Sequence, residues 1–403
     1  MEINEINHVL VEWKIEKEIG QGSFGKVYLA KKKIFTQEYY AAIKVITIPQ
    51  SDAQIAEELA SGQTINSVRE YFRGVVEDWH SEIKMLERLK GVTNIVGVED
   101  YQIIENEDKL HWDIIIRMEY LTPFNKYIMD HLIDTKDALK LGVDICRALK
   151  YCEHQRVLHR DIKPENIFIS KFGDYKLGDF GIARQLEKTT SNLSRKGTYL
   201  YMAPEVYRGE EYDHTVDIYS LGIVMYRLFN QNKLPFIPLD GGVMRATDKE
   251  NSIIQRIRGT ELPNPVNANQ EVARIIKKAC APNPLDRYQS ASEMLDDLQK
   301  SLDKVDVASN KVLVNIPELN VNEVSAVTNG NGYVTSSDSS DSTDKTKGLD
   351  LGTNEDKPKD KIIIPVVIEE NIPSSDSDGT IAVEKMDTTD NTTGIDTDSK
   401  PKK

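Results

Sequence analysis

Three runs near the start of the chain, VEWKIEKEIG, KVYLAKKKIF and YYAAIKVITI, are rich in β-branched and aromatic residues and are separated by glycine or polar turns. That pattern predicts β-strands across residues 11 to 48. The stretch SVREYFRGVVEDWHSEIKMLERLKG changes period: Phe72, Val75, Val76, Trp79, Ile83, Leu86 and Leu89 recur every three or four positions until Gly91 stops the run. One amphipathic helix is expected there. NIVGVEDYQII and HWDIIIRMEYL read as further strands, and residues 124 to 300 as mostly helical with brief strands near 167 and 175. A small sheet followed by a helical body makes an α+β chain of two lobes, about 11–121 and about 122–303, with a cleft between them.

From residue 304 to 403 the periodicity dissolves into polar runs such as TNGNGYVTSSDSSDSTDKTKG. Such a segment buries too little apolar surface to offset the entropy of ordering, so a disordered tail is expected, with KVLVNI and KIIIPVVI as segments that could dock a partner. Charge sharpens the division. The 403-residue chain carries a formal net charge of −14, and from residue 301 onward 20 Asp or Glu face 11 Lys, which places about −9 on the last quarter.

Cys146, Cys152 and Cys280 form no CxxC pair and are too few for a disulfide framework, which fits a reducing compartment. The first two are six residues apart in a predicted helix, about 240° around its axis, so they do not share a face as paired metal ligands would. The N-terminus lacks the pattern of a signal peptide. IIIPVVI at 362 to 368 is far shorter than the ~20 residues of a membrane span. A soluble cytoplasmic protein without a membrane span is the expectation.

The chemistry concentrates in a few short stretches. HRDIKPENIF at 159 to 168 gathers Asp161, Lys163 and Asn166 around Pro164, which removes a backbone donor and disfavours helix, so these side chains belong to a loop. In GQGSFGKV, Gly20, Gly22 and Gly25 let backbone amides approach a polyphosphate, and Val27 offers an apolar surface to a base. A ligand-free glycine turn is the plain alternative. No helix follows within a few residues, which argues against a dinucleotide site. Strand alternation in YAAIKVI sets Ala42 and Lys44 on one face, room for a flat base beside a cation for phosphates. A buried lysine needs an anion, and Glu82 on the predicted helix supplies one. In YKLGDFGIAR, Asp179 follows a short strand, and with Asn166 it offers the hard oxygen ligands that Mg²⁺ takes. Asp161 is then free to accept a hydroxyl proton, while Lys163 neutralises charge on the transferred group.

GQGSFGKV, AIK, HRDIKPEN, DFG and APE at 203 to 205, in this order, resemble the protein kinase family over about residues 13 to 300. The resemblance implies a bilobal kinase fold and ATP and Mg²⁺ as cofactors. The glycine-rich loop, Gly20, Gln21, Gly22, Ser23, Phe24 and Gly25, would cover the phosphates, Lys44 would hold them, and Glu82 would position Lys44. Asp161 becomes the catalytic base, and Asn166 and Asp179 the metal ligands. Met118 resembles the gatekeeper and Glu119 to Leu121 the hinge that bonds adenine through its backbone, with Ala42 and Phe168 sandwiching the purine. IKPEN and GTYLYMAPE resemble the serine/threonine branch, with Thr198 beside Asp161 and Lys163. The chain departs from many relatives at Tyr199 and Glu153, neither of which would touch reacting groups. Asp217 resembles the anchor of the catalytic loop, and Arg287 the partner of Glu205.

The same resemblance implies regulation by phosphate. Arg160 would bind a phosphate on the loop that carries Thr189, Thr190, Ser191 and Ser194, of which at least one is expected to be phosphorylated, by the protein itself among others. The stretch from Pro49 to Ser67 and the hinge wording RMEYLTPF resemble bacterial members, many of which carry a membrane span and an external sensor that is not found here. Protein substrates with Ser or Thr acceptors follow, and no nucleic acid. The rivals are a pseudokinase scaffold, which would have lost Lys44, Asp161 or Asp179, and a small-molecule kinase, which would usually lack Lys163 and the APE segment.

Overall fold

The computed structural model describes residues 3–22, 25–106, 110–180, 198–239 and 245–314. Ser23, Phe24, Thr189, Thr190, Ser191, Ser194 and the segment from 315 to 403, with its expected disorder and its KIIIPVVI run, lie outside the described residues.

The N-terminal half is an antiparallel sheet of β1 (Lys14–Gly22), β2 (Gly25–Ile34), β3 (Gln37–Ile48), β4 (Val98–Asn106) and β5 (His111–Glu119), ordered β1-β2-β3-β5-β4. β3 and β5 lie inside the sheet, and accordingly they carry the aliphatic runs AAIKVITI and DIII. One face packs on α3 (Ile65–Arg88), whose Val68, Phe72, Val76, Trp79 and Ile83 form a single buried stripe; Thr64 caps it by accepting from the Ser67 amide at 3.2 Å. The stretch from Pro49 to Ser67 is not all connection: α2 (Asp52–Ala60) occupies half of it without burying a residue.

The other face of the sheet is covered by a piece the hydrophobic pattern did not announce. α1 (Ile3–Val9) lays Ile6, with Leu10 just beyond it, onto Ile15, Tyr28, Ala41, Ile43 and Ile115 in a core of their own. Asn7 fixes it by accepting from the Ile15 amide at 2.7 Å.

β6 (Thr122–Pro123) and α4 (Phe124–Asp130) lead from β5 into the helical half. β7 (Ile133–Asp134) opens α5 (Thr135–His154), where Asp134 and Asp137 exchange capping bonds of 2.9 and 3.2 Å. β8 (Ile167–Ile169) and β9 (Tyr175–Leu177) make a small sheet with β6. α6 (Pro204–Arg208), α7 (Thr215–Phe229), α8 (Ala246–Ile257), α9 (Gln270–Ala279) and α10 (Ala291–Asp303) complete the body. α7 is buried along almost its whole length, Arg227 excepted, as a helix apolar on every side must be. It is the beam on which the HRDIKPEN loop rests.

The ordered body does not stop at residue 303. β10 (Val312–Val314) pairs antiparallel with β7, the Thr135 amide donates to the Lys311 carbonyl at 2.9 Å, and Leu313 and Val314 enter the main core. KVLVNI, expected within a disordered tail, is therefore folded back at its first four residues: a run of three aliphatics pairs with β7 and buries two of its side chains in the main core.

Candidate active site

The HRD segment is held from beneath. Asp217, in the first turn of α7, accepts from the amides of His159 at 2.7 Å and Arg160 at 2.8 Å. These bonds hold Arg160 at φ 64, a left-handed conformation that costs a non-glycine residue about 1–3 kcal/mol. His159 is fully buried, and burial lowers its pKa, so the ring is neutral. Its partners fix the tautomer: Nε2 donates to the Gly178 carbonyl at 2.9 Å, and Nδ1 accepts from the Asp161 amide at 3.3 Å. One imidazole thereby joins the loop that carries Asp161 to the turn that carries Asp179. Phe180 packs on the same ring at 4.6 Å.

Pro164 starts a single 3₁₀ turn, Pro164–Asn166, as its fixed φ favours. The turn sends Asn166 back to Asp161, whose carbonyl and Oδ2 accept from Asn166 Nδ2 at 2.8 and 2.9 Å. Lys163 Nζ stands 2.8 Å from the same Oδ2. With Nδ2 committed, Oδ1 is the atom of Asn166 that can face a cation. The Asn166 carbonyl accepts from the Gly178 amide at 2.9 Å, a second tie between the two segments.

Gly178 is required by packing. A Cβ there would lie 2.6 Å from Val96 Cγ2 and 2.9 Å from the Phe168 ring. Asp179 follows at φ 50 and opens into the cleft, where Lys44 Nζ sits 2.7 Å from Oδ1. The lysine's charge holds the Asp179 carboxyl below the ordinary carboxylate range, so it is ionised at neutral pH.

On the upper side, β1, β2 and β3 align the expected nucleotide contacts. Gly22 pairs with Gly25 and Gly20 with Val27 in the hairpin, Val27 pairs with Lys44, and Ala42 with Met118. The glycines differ in kind. A Cβ on Gly20 would meet nothing, whereas one on Gly25 would lie 2.0 Å from the Val45 carbonyl oxygen, so Gly25 is there for the close approach of β2 to β3. Phe168 lies on β8 opposite Pro123 of β6, and Glu119 to Leu121 run between the two sheets.

The structure departs from the expected pairing at Glu82. Lys44 engages Asp179 instead, and Glu82 Oε2 is buried without a hydrogen-bond partner. Burial pushes the Glu82 carboxyl up to about 8, with Arg160 pulling the other way and Asp78 adding to the rise. With Lys44 engaged on Asp179, no lysine offsets the desolvation of Glu82, and its carboxyl stays protonated.

Supporting roles expected from the sequence are found. Arg287 and Glu205, both buried, make a two-pronged pair at 2.5 and 2.8 Å. Glu153, one of the departures, accepts from the Ala291 amide at 2.7 Å and so ties α5 to the N-terminus of α10, where a negative charge is favoured. Tyr199 packs edge-on against Tyr207. What sequence reasoning missed is the side chain of Glu119: it accepts from the Gly97 amide and from Lys176, partners too distant along the chain to leave a local signal.

Residues 13–298 match the protein kinase domain family. The chain belongs to the protein kinase family. Among its curated relatives, the chain is 37% identical over 176 residues to serine/threonine-protein kinase PknB of Mycolicibacterium smegmatis, covering 42% of this chain and 27% of that one. It is 29% identical over 297 residues to serine/threonine-protein kinase PrkC of Bacillus subtilis, covering 72% and 40%. It is 33% identical over 226 residues to mouse serine/threonine-protein kinase 36, covering 54% and 14%. The chain thus spans well under half the length of these kinases. Among the described residues, no helix is long and apolar enough to cross a membrane.

Proposed function

We propose that this protein kinase domain transfers the γ-phosphate of ATP to Ser or Thr hydroxyls of protein substrates. The observation that carries the proposal is the anchored loop: Asp161 is presented with Lys163 and Asn166 at its carboxylate and is tied through His159 and Gly178 to the Asp179 turn. The donor set suits a divalent cation of the Mg²⁺ kind, since Asp179 is ionised and Asn166 has a carbonyl oxygen to spare. Asn166 and Asp179 would hold the ion, which when bound supplies charge neutralisation on the phosphates.

In the reaction the acceptor oxygen forms a bond to the γ-phosphorus as the bond to the β,γ-bridging oxygen breaks, and Asp161 takes the hydroxyl proton. Lys163 faces the negative charge on the transferred group. Lys44 would move from Asp179 to the phosphates, the glycines from 20 to 25 would cover them, and Ala42, Met118, Phe168 and the hinge backbone of Glu119 and Leu121 would hold the adenine. Activation by phosphate on Thr189, Thr190, Ser191 or Ser194, opposite Arg160, belongs to the same proposal. So does a cytoplasmic location, to which three buried free cysteines are suited, and a docking role for the acidic C-terminal segment.

Purified protein incubated with γ-labelled ATP, Mg²⁺ and a Ser/Thr peptide library tests this. Label on Ser or Thr that disappears in Asp161→Asn is the expected result; equal labelling by the variant would refute the assignment. One observation favours a second reading, a nucleotide-binding scaffold: Lys44 sits on Asp179 and Glu82 stands apart. That reading predicts nucleotide binding without phosphotransfer in the same assay.

A further inference from the structure

The strand that delivers Asp179 and the segment that joins the lobes are fastened together at one carboxylate. Glu119, the last residue of β5, accepts from the Gly97 amide at 2.7 Å and from Lys176 Nζ at 2.7 Å on Oε1 and 2.9 Å on Oε2. The Glu119 amide answers with a bond to the Gly97 carbonyl at 3.2 Å. Lys176 is the middle residue of β9, whose Tyr175 and Leu177 are buried and are themselves stitched to the same stretch. The Leu177 amide donates to the Asn94 carbonyl at 2.8 Å, the Val96 amide to the Leu177 carbonyl at 2.9 Å, and Asn94 Nδ2 to the Tyr175 carbonyl at 2.9 Å. Residues 94–97, the end of β5 and β9 thus meet at Glu119.

The pair is shielded, with side chains only 15% exposed for Lys176 and 27% for Glu119, so its attraction is less screened than that of a surface pair. Packing alone would not call for charges here, since apolar residues would fill the space without the cost of desolvation. What an ion pair with two oxygens and a shared amide adds is a fixed direction and distance.

We propose that Lys176 is a positioning residue for nucleotide: acting through the Glu119 carboxylate, it sets the spacing between the hinge backbone and Asp179. The inference rests on the ATP-dependent reading above. A nucleotide has an adenine end and a phosphate end at a separation set by its own bonds. A cleft whose two ends are already at the right spacing loses less freedom on binding. Lys176 would touch neither end.

Lys176→Met keeps the length of the side chain and removes the charge; Lys176→Arg keeps the charge. In the nucleotide-free full chain, amide hydrogen exchange at Gly97 and Glu119 should speed up about tenfold in Lys176→Met and stay near wild type in Lys176→Arg. Calorimetry with ATP and Mg²⁺ should show Kd raised roughly five- to tenfold in Lys176→Met and restored by arginine, with the ATP KM following Kd and kcat within about twofold. Unchanged exchange at both amides overturns the latch without reference to any activity. Faster exchange with unchanged ATP affinity, a fall in thermal stability alone, or an altered kcat at constant KM overturns the positioning role. Absence of ATP binding by the wild-type protein, read before any variant, overturns the kinase reading and this proposal with it.

Discussion

The two sides of the cleft are assembled to different degrees. Below, the HRDIKPEN loop is fully anchored: Asp217 holds two backbone amides, His159 bridges to the segment that carries Asp179, and Asn166 closes back on Asp161. Above, Lys44 rests on Asp179, and Glu82, the carboxylate expected to hold it, is half-buried with Oε2 unpartnered and its pKa raised to about 8. The lower side takes its order from α7, a rigid buried helix with an acid in its first turn. The upper side depends on α3, a long helix whose buried stripe faces the sheet while Glu82 lies off that stripe. Groups anchored by backbone partners are ready before a ligand arrives; groups that must find one another across a cleft wait for charge to be brought in.

Asp179 belongs to both sides, and removing it should have the largest effect. Asp179→Ala takes away a proposed metal ligand and the present partner of Lys44. A fall in kcat of about 10³-fold or more is expected, from the several kcal/mol of charge stabilisation such a ligand supports. Labelled phosphate incorporation at saturating ATP measures it. Retention of more than a tenth of wild-type turnover would make the metal assignment wrong.

The firmness of the lower body can be attacked where it is most buried. Glu205→Ala leaves Arg287 charged and uncompensated, with the guanidinium stacked 4.8 Å over the Tyr219 ring. Breaking one side of such a pair costs about 3–5 kcal/mol, read as a lower urea midpoint. Glu210→Ala, which breaks an exposed pair with Arg208, should leave the midpoint where it is. If both variants lost equal stability, burial would not be what distinguishes the two pairs.

Cutting the chain after residue 309 removes β10 and exposes the slot that holds Leu313 and Val314. Losing two buried aliphatic side chains should cost about 3 kcal/mol, while a cut after 320 keeps the strand and should cost nothing measurable. Equal stability of the two truncations would mean that β10 does not pack on the body in solution.

This strand marks where sequence reasoning reached its limit. The cluster at Asp161 was legible because its residues are contiguous: Asp161, Lys163 and Asn166 lie within six positions, so spacing along the chain is spacing in space. The buried stripe of α3 was legible because its period is local. β10 was not, because its partner β7 is two residues long and nearly 180 positions earlier, and three aliphatics in a polar stretch carry no period of their own. α1 escaped for the same reason, since Ile6 and Leu10 gain meaning only against Ile43 and Ile115. The partner of Lys44 was misjudged for a different reason: Glu82 was expected, and the structure sets the lysine on Asp179. Spacing places a carboxylate on a predicted helix but does not say how far its side chain ends from a lysine on a strand more than thirty residues earlier.

That choice gives the finest test. Glu82 has its carboxyl raised to about 8 in the folded chain, against about 4.3 when unfolded, so between these values the native state keeps a proton that the unfolded chain has released. Stability contributed by this group is therefore lost as pH rises from about 4.5 to about 8, and is constant above. Glu82→Gln should flatten that part of the profile, measured as urea midpoints at pH 5, 6.5 and 8. If nucleotide draws Lys44 away from Asp179 and onto Glu82, the new charge lowers the Glu82 pKa and expels its proton. Calorimetric titration with ATP and Mg²⁺ at pH 7, in two buffers of different ionisation enthalpy, should show release of a fraction of a proton in the wild type beyond that in Glu82→Gln. Identical proton release by the two proteins would mean that Lys44 keeps its present partner and that the upper side is never completed in the way proposed.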